Sequence, residues 1–316
     1  MKFHRLFILI LLLHFGWSFG STNINGSNRT ANKIDNDSII KILAIGNSFS
    51  MDAIENYLYE LADADNIKVI IGNLYIGGAS LDLHWKNAKD DKPAYQYRKI
   101  DVNGNKTNTP KTSIADALAS EDWDYISFQQ VSSNSGIYES YVEPLPPLFK
   151  YVKERSTNIK AKYILHQTWA YAQDSTHKMF VTYNKDQMTM YNAIVDAVWR
   201  AKDLAPIDIV VPAGTAIQNG RTSVIGDKFC RDGYHLDINI GRYTAACTWF
   251  ESIFNKSVIG NKFKPHALSE YEAEIAQYAA HYAVLRPKKI TELKYYKEVA
   301  LLLLENATFN ELAFDY

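Results

Sequence analysis

The chain has 316 residues, 47% of them hydrophobic, with no long polar tract, so it can bury one large core. Its formal net charge of −1 excludes capture of nucleic acid by charge alone. No Cys/His cluster has metal-ligand spacing, and neither a glycine-rich phosphate loop nor a dinucleotide fingerprint appears, so no metal and no cofactor are expected.

In chain order, residues 1–20 read as a signal peptide. Lys2, His4 and Arg5 form a basic start, Leu6 to Phe15 an apolar run too short for a comfortable membrane span, and Ser18-Phe19-Gly20 a cleavage region of small residues. The protein is therefore expected to be exported, to the periplasm or beyond, with no other membrane segment. Residues 21–37 are rich in Asn, Ser, Thr and Asp and read as a polar linker, with sequons at Asn25, Asn28 and Asn36.

One folded domain is expected over 38–287. Ile39–Ile45 predicts a strand, Met51–Ala62 one helix, and Ile67–Tyr75 a second strand ending at Gly77-Gly78. Residues 84–111 read as an insertion containing a hairpin around Val102-Asn103-Gly104, placed to shape a pocket at the carboxyl ends of the strands. A short helix at 112–120, a strand at 125–128, a helix at 145–155, a strand at 161–166, a helix at 185–203 and a strand at 207–211 follow. Strand and helix alternate throughout, which predicts an α/β fold: a three-layer α/β/α sandwich on a mainly parallel five-stranded sheet. Beyond Pro265 a helix is expected over Tyr271–Leu285, then a helical tail, 288–316, with an apolar stretch at Val299–Leu304. Cys230 and Cys247 are the two cysteines, and both a disulfide and two buried thiols fit their spacing.

Two short motifs carry chemistry. Gly46-Asn47-Ser48-Phe49 follows an apolar strand, which places Ser48 at a helix N-terminus, where free N–H groups favour an anionic intermediate. Asp232-Gly233-Tyr234-His235 precedes a helix, and its spacing lets a carboxylate orient the imidazole from one loop, with Asp237 as the lesser alternative. Together they supply a nucleophile, a base and an orienting acid.

These blocks make the chain resemble an SGNH/GDSL-type hydrolase of a divergent exported subgroup, over about residues 39–255. Ile45-Gly46-Asn47-Ser48-Phe49-Ser50 matches the nucleophile block, with Asn47 where most relatives carry Asp. Gly77-Gly78-Ala79-Ser80-Leu81 with His84 resembles the second block, and Asp232-Gly233-Tyr234-His235-Leu236 the last. The resemblance implies Ser48, His235 and Asp232 as catalytic residues, and an oxyanion hole from the Ser48 and Gly78 amides. The third block departs from Gly-x-Asn-Asp. Here Phe128-Gln129-Gln130 leads to Asn134, and Gln129 or Gln130 is expected to donate to the oxyanion, with Asn134 behind them.

Asn47, His84, Trp85, Asn134 and Trp169 are the expected substrate contacts, with Tyr171 adding to an aromatic wall. The function expected is removal of small acyl groups, acetyl foremost, from a small-molecule or polysaccharide ester. The alternatives are a lipase or thioesterase of the same type, and a catalytically silent glycan-binding protein.

Overall fold

A computed structural model describes residues 38–296. The expected signal peptide and linker, the sequons and the apolar stretch Val299–Leu304 lie outside the described residues. Among the described residues, no helix is long and apolar enough to cross a membrane.

The strands are β1 (Ile40–Gly46), β2 (Val69–Tyr75), β3 (Tyr95–Ile100), β4 (Lys106–Thr112), β5 (Tyr125–Phe128), β6 (Lys162–His166) and β7 (Ile209–Val211). They form one sheet in the order β4-β3-β2-β1-β5-β6-β7. Pairs β2–β1, β1–β5, β5–β6 and β6–β7 are parallel, while β3 and β4 add antiparallel. The sheet therefore has seven strands rather than the five expected, because the hairpin read as an insertion joins its edge.

That hairpin does not shape the carboxyl edge. Tyr75 pairs with Gln96 and Ile71 with Ile100, so the chain turns at residues 101–105 beside the amino ends of the parallel strands. Asp101 makes this turn by accepting from the Asn103 and Asn105 backbone N–H groups at 2.8 and 2.9 Å.

The helices are α1 (Ser48–Ile54), α2 (Leu58–Ala64), α3 (Leu81–Lys89), α4 (Ile114–Ala119), α5 (Glu139–Val142), α6 (Leu145–Arg155), α7 (Gln187–Ala201), α8 (Ala213–Arg221), α9 (Ile240–Phe254) and α10 (Glu270–Leu285). Helices α1, α2, α8, α9 and α10 pack among themselves, as do α3, α4, α5 and α6, giving a helical layer on each face of the sheet. Start signals are local: Ser113 and Ser269 close capping boxes with Asp116 and Glu272, and Asp186 caps α7.

The single helix expected over 51–62 is broken at Tyr57, whose φ is +69°. Its hydroxyl donates to the Ile238 carbonyl at 2.8 Å and its ring meets Tyr243 and Phe263, so tertiary docking overrides an unbroken local period. Cys230 and Cys247 are both free thiols, and burial raises the pKa of each. Residues 288–296 lie on the domain: Leu293 and Tyr296 pack with Ile275 and Ala279, and the Thr291 N–H donates to Asn219.

Candidate functional site

At the carboxyl edge of the sheet, β1 gives way directly to α1, and Ser48 is the first residue of that helix. Asn47 is its N-cap, accepting from the Phe49 N–H at 2.9 Å. The Ser48 N–H, one of the groups a helix start leaves open, donates to no acceptor among the described residues.

The second component comes from residues 230–237, a loop closed by an isolated bridge between Cys230 and Leu236. Asp232 Oδ1 accepts from the Tyr234 and His235 backbone N–H groups at 3.2 and 2.8 Å, which winds the loop around the carboxylate. Gly233 sits at φ +87°, and a Cβ there would meet the Ser175 side chain. Asp232 Oδ2 lies 2.7 Å from His235 Nδ1, and His235 Nε2 lies 2.9 Å from Ser48 Oγ, across a separation of 187 residues.

The roles in this row are fixed. A carboxylate oxygen can only accept, so His235 Nδ1 carries the proton and Nε2 presents a lone pair to the serine hydroxyl. Burial pushes the Asp232 carboxyl up, but hydrogen bonds from the His235 ring and from the His235 and Tyr234 N–H groups outweigh it and hold the pKa below the ordinary value. The His235 and Asp232 side chains are 19% and 41% exposed, so the row opens to solvent. Asp237 instead accepts from the Asn239 and Ile240 N–H groups at the start of α9, which removes it as the orienting group.

The loop is clamped to α1 by a residue that the sequence reading passed over. Asp52, fully buried one turn after Ser48, pairs with Arg231 at 3.1 Å and Arg242 at 2.8 Å and accepts from the Leu236 N–H at 2.9 Å. Arg231 also donates to the Leu236 carbonyl. The available signal was position: an acid one helical turn beyond the nucleophile. On the other side Trp169, stacked on Phe49 at 4.3 Å, donates from Nε1 to the Tyr234 carbonyl at 2.8 Å.

Gly78 lies at φ +67° on the exposed turn after β2, and its N–H has no acceptor among the described residues. The two glutamines are placed otherwise than expected. Gln130 gives its amide protons to the Ser140 carbonyl and hydroxyl at 3.0 Å and accepts from the Leu81 and Val131 N–H groups, so it ties the Gly78 turn to the 132–140 segment. Gln129 is buried, with its amide held between Asn47 and His166. Neither offers a free donor at the surface. Asn134, half-buried on the turn after β5, accepts from Ser133, and its amide nitrogen has no acceptor among the described residues.

Several expected substrate contacts are packing residues instead. Asn47, His84, Trp169 and Tyr171 are at most 1% exposed, so they have no face to offer a sugar. His84 lies within α3 against Tyr95, 2.9 Å from its hydroxyl. Trp85 is half-buried against the core. Beside His235 lie Tyr234, at 4.2 Å between ring centres, and the buried Phe49 at 5.9 Å, with His177 4.9 Å from Tyr234.

Among the described residues no group of three or more His, Cys, Asp or Glu side chains is gathered as a metal site. A cavity of about 430 Å³ beside α10 and one of about 490 Å³ near the amino end of β1 contain no pairing of nucleophile and base. Chemistry rather than cavity size locates the site.

A crystal structure of a DUF4886 family protein from Bacteroides uniformis is similar over 82% of this chain and 100% of its own, at 52% identity and a TM-score of 0.81. A protein of Slackia heliotrinireducens, described provisionally as an SGNH hydrolase, matches 68% of this chain and 100% of its own at 20% identity and a TM-score of 0.47. Axe2, an acetyl xylan esterase from Geobacillus stearothermophilus, matches 72% of this chain and 97% of its own at 14% identity and a TM-score of 0.42. Those two likenesses do not bear on this chain's substrate. No curated protein matches. The family described as "Domain of unknown function (DUF4886)" matches residues 41–283, a span that includes Ser48, Asp232 and His235. This chain therefore belongs to the DUF4886 family.

Proposed function

We propose that this protein is an exported serine esterase that removes small acyl groups, acetyl foremost, from carbohydrate. The observation that carries the reading is the continuous hydrogen-bonded row from Ser48 Oγ through His235 to Asp232. Export rests on the basic and apolar character of residues 1–20, and the carbohydrate substrate on the family resemblance of the nucleophile and histidine blocks.

In the acylation step Ser48 Oγ attacks the ester carbonyl while His235 Nε2 takes its proton. The carbonyl π pair moves to oxygen, and the Ser48 and Gly78 N–H groups, with the Asn134 amide as a third donor, stabilise the resulting oxyanion. As the tetrahedral intermediate collapses, the bond to the alkoxy oxygen breaks and His235 returns the proton to the leaving alcohol. A water deprotonated by His235 then attacks the acyl-serine, and collapse releases the carboxylic acid and restores Ser48. Asp232 stays ionised throughout, holding the ring and stabilising its charged form.

Hydrolysis of p-nitrophenyl acetate by the purified protein, with Ser48→Ala alongside, tests this. Wild-type turnover that disappears in a folded variant supports the reading, and equal rates in both overturn it.

A second reading is favoured by one feature. Met179 and Val181, 37% and 61% exposed, lie on the turn that follows His177. An apolar edge so near the site suits a longer acyl chain, as in a lipase or thioesterase. An aryl ester series separates the two, since an acetylesterase loses rate sharply beyond short acyl groups.

A further inference from the structure

Beneath Ser48 runs a row of buried polar side chains that takes no direct part in bond making. Asn47, Gln129 and His166 are each 1% exposed. His166 Nδ1 lies 2.9 Å from Gln129 Oε1, and Gln129 Nε2 donates to Asn47 Oδ1 at 2.5 Å. Asn47 Nδ2 in turn donates to the Ala79 carbonyl at 2.9 Å, while Asn47 Oδ1 also accepts from the Phe49 N–H.

The two ends dictate the direction of the row. A backbone carbonyl can only accept and a backbone N–H can only donate, so the Asn47 amide has one permitted orientation. Gln129 must then turn its nitrogen to Asn47 and its oxygen to His166, and His166 must hold its proton on Nδ1. Burial lowers the His166 pKa to about 3, so the ring stays neutral and its Nδ1 proton is retained at ordinary pH. Its Nε2, buried and without a protein partner, faces no group that competes for the opposite tautomer among the described residues.

We propose that Asn47, Gln129 and His166 are positioning residues that hold the Ser48 and Gly78 amides at the spacing an oxyanion requires. This rests on the reading of Ser48 as the nucleophile. Asn47 is bonded to Ser48, caps α1 through the Phe49 N–H, and grips through Ala79 the turn that carries Gly78. Both donors of the hole are therefore referred to one side chain, and Gln129 and His166 prevent that side chain from turning. A carboxylate at position 47 would keep the acceptor for Phe49 and Gln129 but lose the donor to Ala79.

Asn47→Asp is the test, assayed with p-nitrophenyl acetate across pH beside the wild type and Ser48→Ala. The expected result is a kcat lowered about 10- to 100-fold at neutral pH and above, with KM within about twofold. The ratio of variant to wild-type kcat should rise as pH falls, because protonation of the introduced carboxylate restores an O–H donor for Ala79. A wild-type kcat at every pH, or a loss that does not vary with pH, overturns the proposal. Gln129→Leu covers the case in which Asn47→Asp does not fold, with the same split between kcat and KM expected. Nitrogen NMR of the wild-type histidines adds a readout that does not depend on activity: His166 should be protonated on Nδ1 and bare on Nε2, and the opposite tautomer overturns the row. A wild type no faster than Ser48→Ala would instead sink the esterase reading itself.

Discussion

The loop around His235 and the buried layer around His166 use the same residue type in opposite ways. His235 is partly exposed, is bracketed by a carboxylate and a hydroxyl, and presents a lone pair to a reactive group. His166, the last residue of β6, is sealed against α9, edge-on to Trp249 at 5.2 Å, and burial holds it neutral. The difference lies in commitment. At the surface the Ser48 and Gly78 N–H groups have no acceptor among the described residues, whereas in the layer below the amides of Asn47 and Gln129 are held at both ends. The chemical group is thus carried on a floor of side chains whose hydrogen bonds are already committed.

By that contrast, substitutions in the upper region should remove activity and spare stability, and those below should lower both. The largest effect belongs to Ser48→Ala, with a fall in kcat of about 10⁴-fold or more and an unchanged melting temperature. A melting temperature lowered in step with activity would break the contrast.

Next is Asp52→Asn, which removes the charge facing Arg231 and Arg242. Urea unfolding should show a loss of about 3 kcal/mol, discounted because both arginines retain some solvent, and kcat should drop as the His235 loop loosens.

Third is acid sensitivity. His84 and His166 have folded pKa values lowered to about 3 by burial, against about 6.5 in the unfolded chain. The unfolded state binds more protons between those values, so stability is full above about pH 6.5 and falls as the pH drops towards 3. Between pH 7 and pH 5 each histidine should cost about 2 kcal/mol in urea unfolding, and His84→Gln should remove about half of the combined fall.

The smallest is Trp169→Phe, which keeps the stack on Phe49 and loses the bond to the Tyr234 carbonyl. About 1 kcal/mol of stability should go, read by the same unfolding measurement.

The parallel strands were legible because they are buried on both faces and read as continuous apolar runs, as Ile40–Gly46 and Val69–Tyr75 show. Helix α8 was not, since every residue from Ala213 to Arg221 is buried and no polar face marks its period. Helix α3 carried readable signals, the Ser80 cap and the Asp82–Lys86 pair, but its polar surface made it look like part of an insertion. For the candidate site, Ser48, Asp232 and His235 could be named because the chemistry needs those residue types in loops at strand ends. Gln130, His84 and Trp169 were misplaced because burial and the direction of an amide cannot be read from composition.

The sequence by itself determined the alternation of strands and helices, the helix start at Ser48, and the Asp232–His235 loop, all of which depend on contacts within a few residues. Only the tertiary structure decided that the 95–112 hairpin joins the sheet edge and turns away from the site, and that Tyr57 breaks a helix. It also decided that Asp52 fastens one half of the row to the other. Those outcomes are set by pairings across long stretches of chain, 187 residues between His235 and Ser48 and 184 between Leu236 and Asp52. Local propensity is silent about such pairings, and burial and charge pairing in the folded core select them.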